Sequence, residues 1–591
     1  MPRPRFSLAL AAVLAGSWLA TVSCRPAAPR VEQDVVPRLV TSYLEEYFAL
    51  YPSKATAAGR HDPDHQLEDL SPARLRAWLE TQQRVKQELL RALDRGGLGT
   101  EDALDAELLL AQVEAEELEL DLERRPEREP LFWTGILGNA TVFLLVRDDL
   151  PLETRLASAA ERARQIPGLA AQARERLAAT DPALISPDLA RIAASQARAA
   201  GTFYRQGFAA AAAGNADLEQ RLAAAGVLAA PALEELASFL TELAGRATRP
   251  PQMGAPLYAE RFRRVTGIDE PPAEVAEQAV EALAAKVVEA AAYGREVWPS
   301  LMLGESAPAD DRELLRRLFS RVSADRAQTT EEFVEDYRHL VAESERFLRQ
   351  HDIITLPDPL TLVTDRSPSF FVGQSVGGVY PAGPYAPEAK TLWFLPTPSD
   401  SAGPEARDAF FRDFNHHFNV MITPHEILPG HYLQLKLAAR HPRKVRALFA
   451  DGLYVEGWGT FCERLMLDLG WGGPLDRLAH LKKQLENIAR TIVDIRVHSE
   501  GWKREDVLRF VKEEALQDEQ FAANMWVRAI TSSPQLTSYH LGYRQVFGLY
   551  EEVRRHEGDR FELKRFMDRM MTLGPVPVAR YRQHVFPELP R

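Results

Sequence analysis

Residues 36–347 are dominated by alanine, leucine, glutamate and arginine, four residue types that favour helices. Apolar residues recur through this stretch at three- and four-residue spacing, which is the period of an amphipathic helix. Proline-containing breaks at residues 62–63, 181–182, 186–187 and 250–251 are typical of turns between helices. We therefore predict a mainly α protein in which residues 36–347 form a helical N-terminal lobe.

The sequence changes character between positions 351 and 400. Residues 360–363 and 391–395 are short runs rich in leucine, β-branched and aromatic residues, which are typical of strands. A segment rich in glycine and proline, residues 372–384, lies between them, and helix-forming sequence resumes near residue 408. We predict that residues 348–591 form a second lobe, which contains a small β-sheet with an irregular loop.

The N-terminus has the pattern of an export signal. Arg3 and Arg5 precede an apolar run over residues 6–19, and small residues follow up to Cys24. The apolar run is too short to cross a bilayer comfortably, and a cysteine directly after Val-Ser resembles the processing site of bacterial lipoproteins. The predicted processing is a signal peptide over residues 1–23, lipidation of Cys24 and a tether over residues 24–35. This places the protein in the bacterial cell envelope, and a secreted or periplasmic soluble form is the alternative.

Charge and cysteine content limit the classes of partner. The formal net charge is -13, which argues against nucleic acid as the main partner because phosphate binding needs a basic face. After processing, Cys462 would be the only unmodified cysteine, so we expect no disulfide framework. We expect membrane contact only through the lipid anchor, and the sequence carries no signal for an oligomeric state.

A histidine-rich segment near residue 425 resembles the zinc motif HExxH, in which two histidines one helical turn apart bind zinc and the glutamate activates water. In this chain His425 is followed directly by Glu426, but the second histidine, His431, comes six residues after the first. On a regular helix, such positions point about 120° apart and lie about 9 Å apart along the axis. A straight helix could not bring both histidines to one ion.

Two residues inside the motif offer a way to change the direction of the chain. Pro429 removes a helical hydrogen bond, and Gly430 permits unusual backbone angles. We predict that the helix bulges or breaks at this dipeptide and that the break brings His431 back beside His425. The alternative is one helix that ends at residue 428 and another that starts at residue 429, with histidines that are there by chance.

A catalytic zinc site needs a third protein ligand and an open position for water. Glu456 lies 25 residues after His431, and Glu463 follows seven residues later on the same helical face. Gly457 and Gly459 would allow another backbone to approach this helix closely. We expect Glu456 to be the third ligand and Glu463 to accept a hydrogen bond from a ligand histidine. An ordinary ion pair is the alternative role of Glu463.

These residues resemble the bacterial domain-of-unknown-function 885 family, proteins regarded as zinc metallopeptidases with the pattern HExxPGHxxQ. The matching positions are His425, Glu426, Pro429, Gly430, His431 and Gln434. Further matches are residues 456–458 and Glu463, residues 494–498 with Gly501 and Trp502, then Gln535, Ser538 and Tyr539, and, near the N-terminus, Pro52, Ala55, Thr56 and Gly59. Arg496 and Pro534 stand where the family usually has glycine. Because glycine allows backbone angles that other residues avoid, the local backbone shape at these two positions can differ from that of the family.

The family is in turn similar to gluzincin peptidases of the thimet oligopeptidase, neurolysin and carboxypeptidase Taq type. That similarity implies a large helical zincin-like fold, with a deep cleft and a small β-sheet beside the helix that carries the zinc ligands. It also implies one zinc ion per chain, with Glu426 as general base. Because the matching segments carry them, His498 and Tyr539 are candidate donors to the oxyanion, and core residues with one satisfied hydrogen bond are the alternative. Gln434 and Glu463 would support the ligands.

We therefore expect a zinc-dependent metallopeptidase that hydrolyses peptide bonds, with oligopeptides as substrates. One alternative is a zinc hydrolase of a non-peptide amide or ester, which would use the same site. The other is a non-catalytic envelope lipoprotein, which would have a closed site with four protein ligands. The presence of Glu426 favours an enzyme, because a purely structural site has no use for that carboxylate.

Overall fold

Helices make up most of the chain in the computed structural model, which describes residues 34–371, 377–398 and 402–590. The described residues contain one small sheet. This confirms the prediction of a mainly α protein. The predicted signal peptide, Cys24 and nearly all of the predicted tether lie outside the described residues. The first helix begins at Val35, at the end of the predicted tether.

Fifteen α-helices cover the region that was predicted to be helical. They are α1 Val35–Leu50, α2 Pro52–Ala57, α3 Pro72–Arg95, α4 Thr100–Glu117, α5 Arg125–Arg128, α6 Pro130–Asn139, α7 Val142–Val146, α8 Leu152–Ala163, α9 Ile166–Ala178, α10 Pro187–Gln206, α11 Ala216–Arg246, α12 Ala255–Thr266, α13 Pro272–Leu301, α14 Asp311–Val322 and α15 Thr330–Gln350. Three of the four proline-containing breaks lie outside the α-helices. At the fourth, Pro187 is the first residue of α10, where a proline fits because its nitrogen has no hydrogen to bond. By length and composition α11 could cross a membrane, but it packs against α8, α9 and α10.

The described residues of the C-terminal part form the sheet and eleven more helices. They are β1 Leu362–Arg366, β2 Gly378–Tyr380, β3 Thr391–Leu395, α16 Pro404–Asp413, α17 His416–Glu426, α18 His431–Arg440, α19 Lys444–Leu448, α20 Gly452–Asp468, α21 Pro474–Glu500, α22 Arg504–Glu513, α23 Glu519–Ser532, α24 Ser538–Glu557, α25 Leu563–Arg569 and α26 Val578–His584.

The sheet has the order β1-β3-β2, with β1 parallel and β2 antiparallel to the central strand β3. The strand predicted at residues 391–395 is confirmed, whereas β1 begins two residues later than its predicted start. β2 lies in the segment that was predicted to be an irregular loop; its three residues are too few to show an alternating pattern. Residues 372–376 of that segment lie outside the described residues.

Two buried side chains of α18 tie the sheet to the helix that carries His431. The Tyr432 hydroxyl accepts a hydrogen bond from the Thr361 backbone nitrogen, just before β1, at 2.9 Å. The Lys436 ammonium donates to the carbonyl oxygens of Pro387 and Ala389, just before β3, at 2.6 and 2.8 Å. The sheet therefore has a fixed position beside the second half of the histidine motif.

The hydrophobic interior runs through both predicted lobes. The predicted boundary at residues 347 and 348 falls inside α15. One buried cluster joins Leu283 of α13 and Leu318 of α14 to Leu485 and Ile492 of α21. The two parts of the chain are therefore packed against each other through shared core residues, and α21 is the central helix of that contact.

Helices α20 and α24 cross at two glycines. A β-carbon added to Gly542 would lie 2.0 Å from the Leu453 carbonyl oxygen, and one added to Gly457 would lie 2.3 Å from the Gly542 carbonyl carbon. No real side chain fits these distances, so the crossing requires glycine at both positions. The close approach sets the position of α20, which carries Glu456 and Glu463.

We expect Gly542→Ala to lower the free energy of unfolding by about 2 kcal/mol or more, because overpacking forces the two helices apart. Gly548→Ala in the same helix is the matched control: no atom lies within 4 Å of its added β-carbon. That variant should be unchanged or more stable by about 0.5–1 kcal/mol, since alanine favours helix. Urea unfolding followed by circular dichroism measures both, and equal tolerance of alanine at the two sites would contradict the close crossing.

Candidate metal centre

The histidine motif is divided between two helices. α17 ends at Glu426 and α18 begins at His431, so the chain turns over the four residues between them. The ring centroids of His425 and His431 are 4.6 Å apart. The turn therefore brings the two histidines together, as the spacing argument requires. It does so with two separate helices rather than a bulge within one.

Gly430 allows this turn because nothing larger fits. A β-carbon at this position would lie 1.9 Å from the His425 carbonyl oxygen and 2.3 Å from that of Pro424. The backbone of residue 430 thus packs directly against the end of α17. Any side chain here would push α18 and His431 away from His425.

Glu456 completes a cluster of three groups that suits a metal ion. The ligand atoms of His425, His431 and Glu456 all lie within 4.8 Å of one another. Glu456 Oε2 is 3.5 Å from His425 Nε2 and 3.6 Å from His431 Nε2. In a tetrahedral zinc site with bonds of about 2.0–2.1 Å, neighbouring ligand atoms are about 3.4 Å apart. Glu456 Oε2 is buried and has no hydrogen-bond partner among the described residues, so these residues fit a zinc ion.

Glu463 orients the first histidine, as predicted. Its fully buried carboxylate accepts hydrogen bonds from His425 Nδ1 at 2.7 Å and from His480 Nδ1 at 3.2 Å. Burial opposes ionisation of Glu463, but the hydrogen bonds from the two histidines outweigh it and hold its pKa at about 2. With Nδ1 as donor, Nε2 of His425 keeps its lone pair and points toward Glu456.

Gln535 holds the carboxylate of Glu456, a contact that the sequence did not reveal. Its amide nitrogen donates to Glu456 Oε1 and to the Tyr539 hydroxyl, both at 3.1 Å. The Gln535 amide oxygen in turn accepts a hydrogen bond from Arg528 at 2.6 Å. The glutamine was visible only as part of a family-like segment, and nothing in the sequence pointed to Arg528.

A cavity of about 610 Å³ opens onto the three candidate ligands. Glu426 and Tyr539 lie on its wall, together with Gly378, Val379 and Trp393 of the sheet. Tyr539 is close to the ligands, with its ring centroid 6.3 Å from that of His425. The small sheet therefore flanks the candidate site, as the resemblance implied.

His498 does not lie on the wall of this cavity among the described residues. It is buried, and both ring nitrogens bind backbone: Nδ1 accepts from Met253 N at 3.2 Å and Nε2 donates to Ala529 O at 2.9 Å. Burial lowers the pKa of His498 to about 4, so the ring is neutral. The structure thus gives His498 the alternative role, a core residue with satisfied hydrogen bonds, and leaves it no donor for a substrate. The sequence alone does not distinguish a histidine that is buried in the core on α21 from one that donates to an oxyanion.

Two other residues singled out in the sequence are buried near the site. Gln434 lies one turn after His431 on α18, and in the described chain no hydrogen bond joins it to a candidate ligand. Cys462 is fully buried on α20, and burial raises the pKa of its thiol, which therefore stays protonated. Cys462 belongs to a buried hydrophobic cluster together with Leu428 and Trp458.

A family model described as "bacterial protein of unknown function (DUF885)" matches residues 52–585. The chain belongs to the DUF885 family. Two solved structures resemble this DUF885 protein. A proposed lipoprotein of unknown function from Shewanella oneidensis has a TM-score of 0.75 and 24% identity, over 93% of this chain and 99% of its own. A proposed lipoprotein from Colwellia psychrerythraea has a TM-score of 0.72 and 16% identity, over 94% and 99%. No curated protein matches the sequence.

These likenesses establish that the DUF885 chain shares its fold with the two proteins over nearly their whole length. Neither description names a metal, a substrate or a reaction.

We expect the purified protein to bind one zinc ion per chain. His431→Ala should lose that zinc on dialysis, because it removes one of three ligands. Glu463→Gln should weaken zinc binding by about 10–100-fold, because it removes the acceptor that orients His425. Atomic spectroscopy and competition with a zinc indicator measure the two effects. His339→Ala, a change of an exposed histidine on α15, is the control. Full zinc content in His431→Ala would contradict the site.

The neutral state of His498 predicts a pH dependence of stability. Its pKa is 6.5 in an ordinary setting and about 4 in the fold, so the unfolded chain binds more protons between these values. This contribution, on the order of 3 kcal/mol, is present above pH 6.5 and is lost as the pH falls toward 4. We expect the free energy of unfolding of His498→Gln to fall less steeply over that range in urea titrations. His339→Gln should keep the wild-type slope, and a wild-type slope in His498→Gln would contradict this account.

Proposed function

We propose that the protein is a zinc-dependent peptidase. The observation that carries the proposal is the state of Glu426. Its carboxylate lies on the cavity wall next to the two candidate histidine ligands, and it makes no hydrogen bond or ion pair with any described residue. A carboxylate left unpaired beside a set of three ligands suits a general base and has no use in a closed structural site.

When bound, zinc supplies Lewis acidity, which lowers the pKa of water toward about 7 and polarises a substrate carbonyl. Residues of the chain itself transfer the proton and stabilise the oxyanion. Glu426 accepts a proton from the attacking water and passes it to the leaving amine. The Tyr539 hydroxyl accepts hydrogen bonds from Gln535 and Arg528, so its own hydrogen is available for the carbonyl oxygen as negative charge develops there.

The sheet favours a peptide over other amides or esters as substrate. β2 is an edge strand of the described sheet, and Gly378 and Val379 line the cavity. An edge strand offers unpaired backbone groups that an extended peptide can pair with. A non-peptide amide or ester would not pair with the backbone of this edge strand.

The same proposal includes export as a lipoprotein of the cell envelope. The support is the N-terminal pattern up to Cys24, together with two proteins of the same fold that are described as lipoproteins. A substrate in that compartment would be a peptide from outside the cytoplasm. Metabolic labelling with a fatty acid tests the lipidation of Cys24: the wild type should incorporate the label and Cys24→Ser should not.

We expect Glu426→Gln to keep its zinc and to lose peptidase activity by about 10²–10⁴-fold, because the amide cannot take the proton from water. Glu505→Gln, on the exposed first turn of α22, is the matched control and should keep full activity. The readouts are zinc content and mass spectrometry of a peptide library after incubation. Chelation should abolish cleavage and added zinc should restore it.

A Glu426→Gln protein as active as wild type would contradict the role of this carboxylate. Cleavage of amide or ester reporters by the wild type, with no peptide cleaved, would show the non-peptide alternative instead. Stable zinc with no hydrolysis of either class would support a binding protein.

A further inference from the structure

The cavity is also lined by three positive side chains whose charge the proposed mechanism does not use. Lys483 and Arg490 lie two turns apart on the same face of α21, and Arg528 lies on α23. Glu486 pairs with the first two, at 3.2 Å from Lys483 Nζ and 2.5 Å from Arg490 Nη2. Arg528 makes no ion pair with a described carboxylate, so its positive charge on the cavity wall is unpaired.

Arg528 is the member of this group with unused donors. Its Nη2 donates to Gln535 and to the Tyr539 hydroxyl, at 2.6 and 3.3 Å. Nε and Nη1 have no acceptor among the described residues, and the side chain is only half-buried. An arginine with unused donors at a cavity is suited to bind a carboxylate through a charge-assisted hydrogen bond, here from Nη1.

Arg490 also lies near Arg528, because both guanidinium groups lie close to the ring of Tyr539. The Arg490 guanidinium lies 4.5 Å from the ring centroid, and that of Arg528 lies 5.7 Å from it. Arg490 and Lys483 are buried on the wall, where a charge is screened less than in water. An anion that binds Arg528 would therefore also be attracted by these two side chains.

The distance to the candidate ligands is short. Arg528 is joined to Glu456 through the Gln535 amide, by hydrogen bonds of 2.6 and 3.1 Å. That path is no longer than two or three extended residues, at about 3.5 Å for each residue. A carboxylate on Arg528 would therefore lie close to a carbonyl group at the metal cluster.

We propose that Arg528, with Arg490 and Lys483, forms a subsite for a substrate carboxylate that lies within two residues of the cleaved bond. This rests on the proposed peptidase function. A free peptide C-terminus and an acidic side chain both supply such a carboxylate. The first makes the protein a carboxypeptidase that releases one or two residues, and the second makes it selective for acidic sequences.

Three otherwise identical peptides distinguish the two sources: one with a free C-terminal carboxylate, one with a C-terminal amide, and one amidated with glutamate near the expected cleavage site. We expect the zinc-loaded wild type to cleave one of the two carboxylate peptides about 10–100-fold faster, in kcat/KM, than the neutral amide. Mass spectrometry of the products locates the cleaved bond. Equal rates for all three peptides would overturn the subsite and leave the peptidase proposal intact.

Arg528→Met should remove that preference: kcat/KM for the carboxylate peptide should fall about 10–100-fold more than kcat/KM for the neutral amide, which also reports the loss of the Arg528 hydrogen bond to Tyr539. Arg528→Lys keeps the charge and should restore part of the preference, whereas a purely structural role would not depend on the charge of the substrate. Arg509→Met, an exposed arginine on α22, is the control. Zinc content is measured in each variant, and if Arg528→Met does not fold, Arg490→Met replaces it.

Binding separates this proposal from the peptidase proposal. If no peptide is cleaved, the peptidase proposal fails, and calorimetric titration of zinc-loaded protein with the same three peptides still tests the subsite. Tighter binding of a carboxylate peptide than of the neutral amide supports it. Equal binding of all three overturns it.

Discussion

The candidate metal centre depends on the buried carboxylate of Glu463. It lies on α20 and accepts hydrogen bonds from His425 of α17 and His480 of α21, so one side chain joins three helices. Desolvating a carboxylate costs several kcal/mol, and two charge-assisted hydrogen bonds offset that cost only when both donors are in place. The position of α17 relative to α20, and with it the gap between His425 and Glu456, is therefore fixed by a residue that is not itself a candidate ligand.

The second constraint is the close approach of helix backbones around the site, which only glycine permits. A β-carbon on Gly459 would lie 2.8 Å from Cε1 of His425, so α20 passes directly against the imidazole ring. Gly430 allows the turn that brings His431 to the same point, and Gly542 allows α24, which carries Tyr539, to cross α20. Each glycine costs helix or backbone stability. The three together make a cluster in which ligands from three helices meet without a long side chain.

The sequence was sufficient for the local features of the site and insufficient for those that arise from packing between distant elements. The helical period predicted the helices, and the six-residue spacing of His425 and His431 required the turn, because covalent geometry allows no other way for them to meet. The strand β2 was missed because three residues carry no period. Gln535 and Arg528 were missed as functional residues because their contacts with Glu456 and Tyr539 join positions up to 79 residues apart. His498 was assigned to the site by resemblance, yet α21 is buried on nearly every face, and motif residues there serve the core.

The asymmetry of the cavity follows from how its two sides are built. The sheet side presents backbone and apolar groups, including Val379 and Trp393, whereas the helical side presents cations from α21 and α23. Placing cations on α21 is unfavourable unless an acid compensates them, and Glu486 compensates only in part. A protein keeps such an excess of buried charge at a cost in stability, and a ligand of opposite charge recovers that cost on binding. If the proposed subsite binds a carboxylate, an extended substrate would lie in one direction, with its backbone along the sheet edge and its negative group toward Arg528.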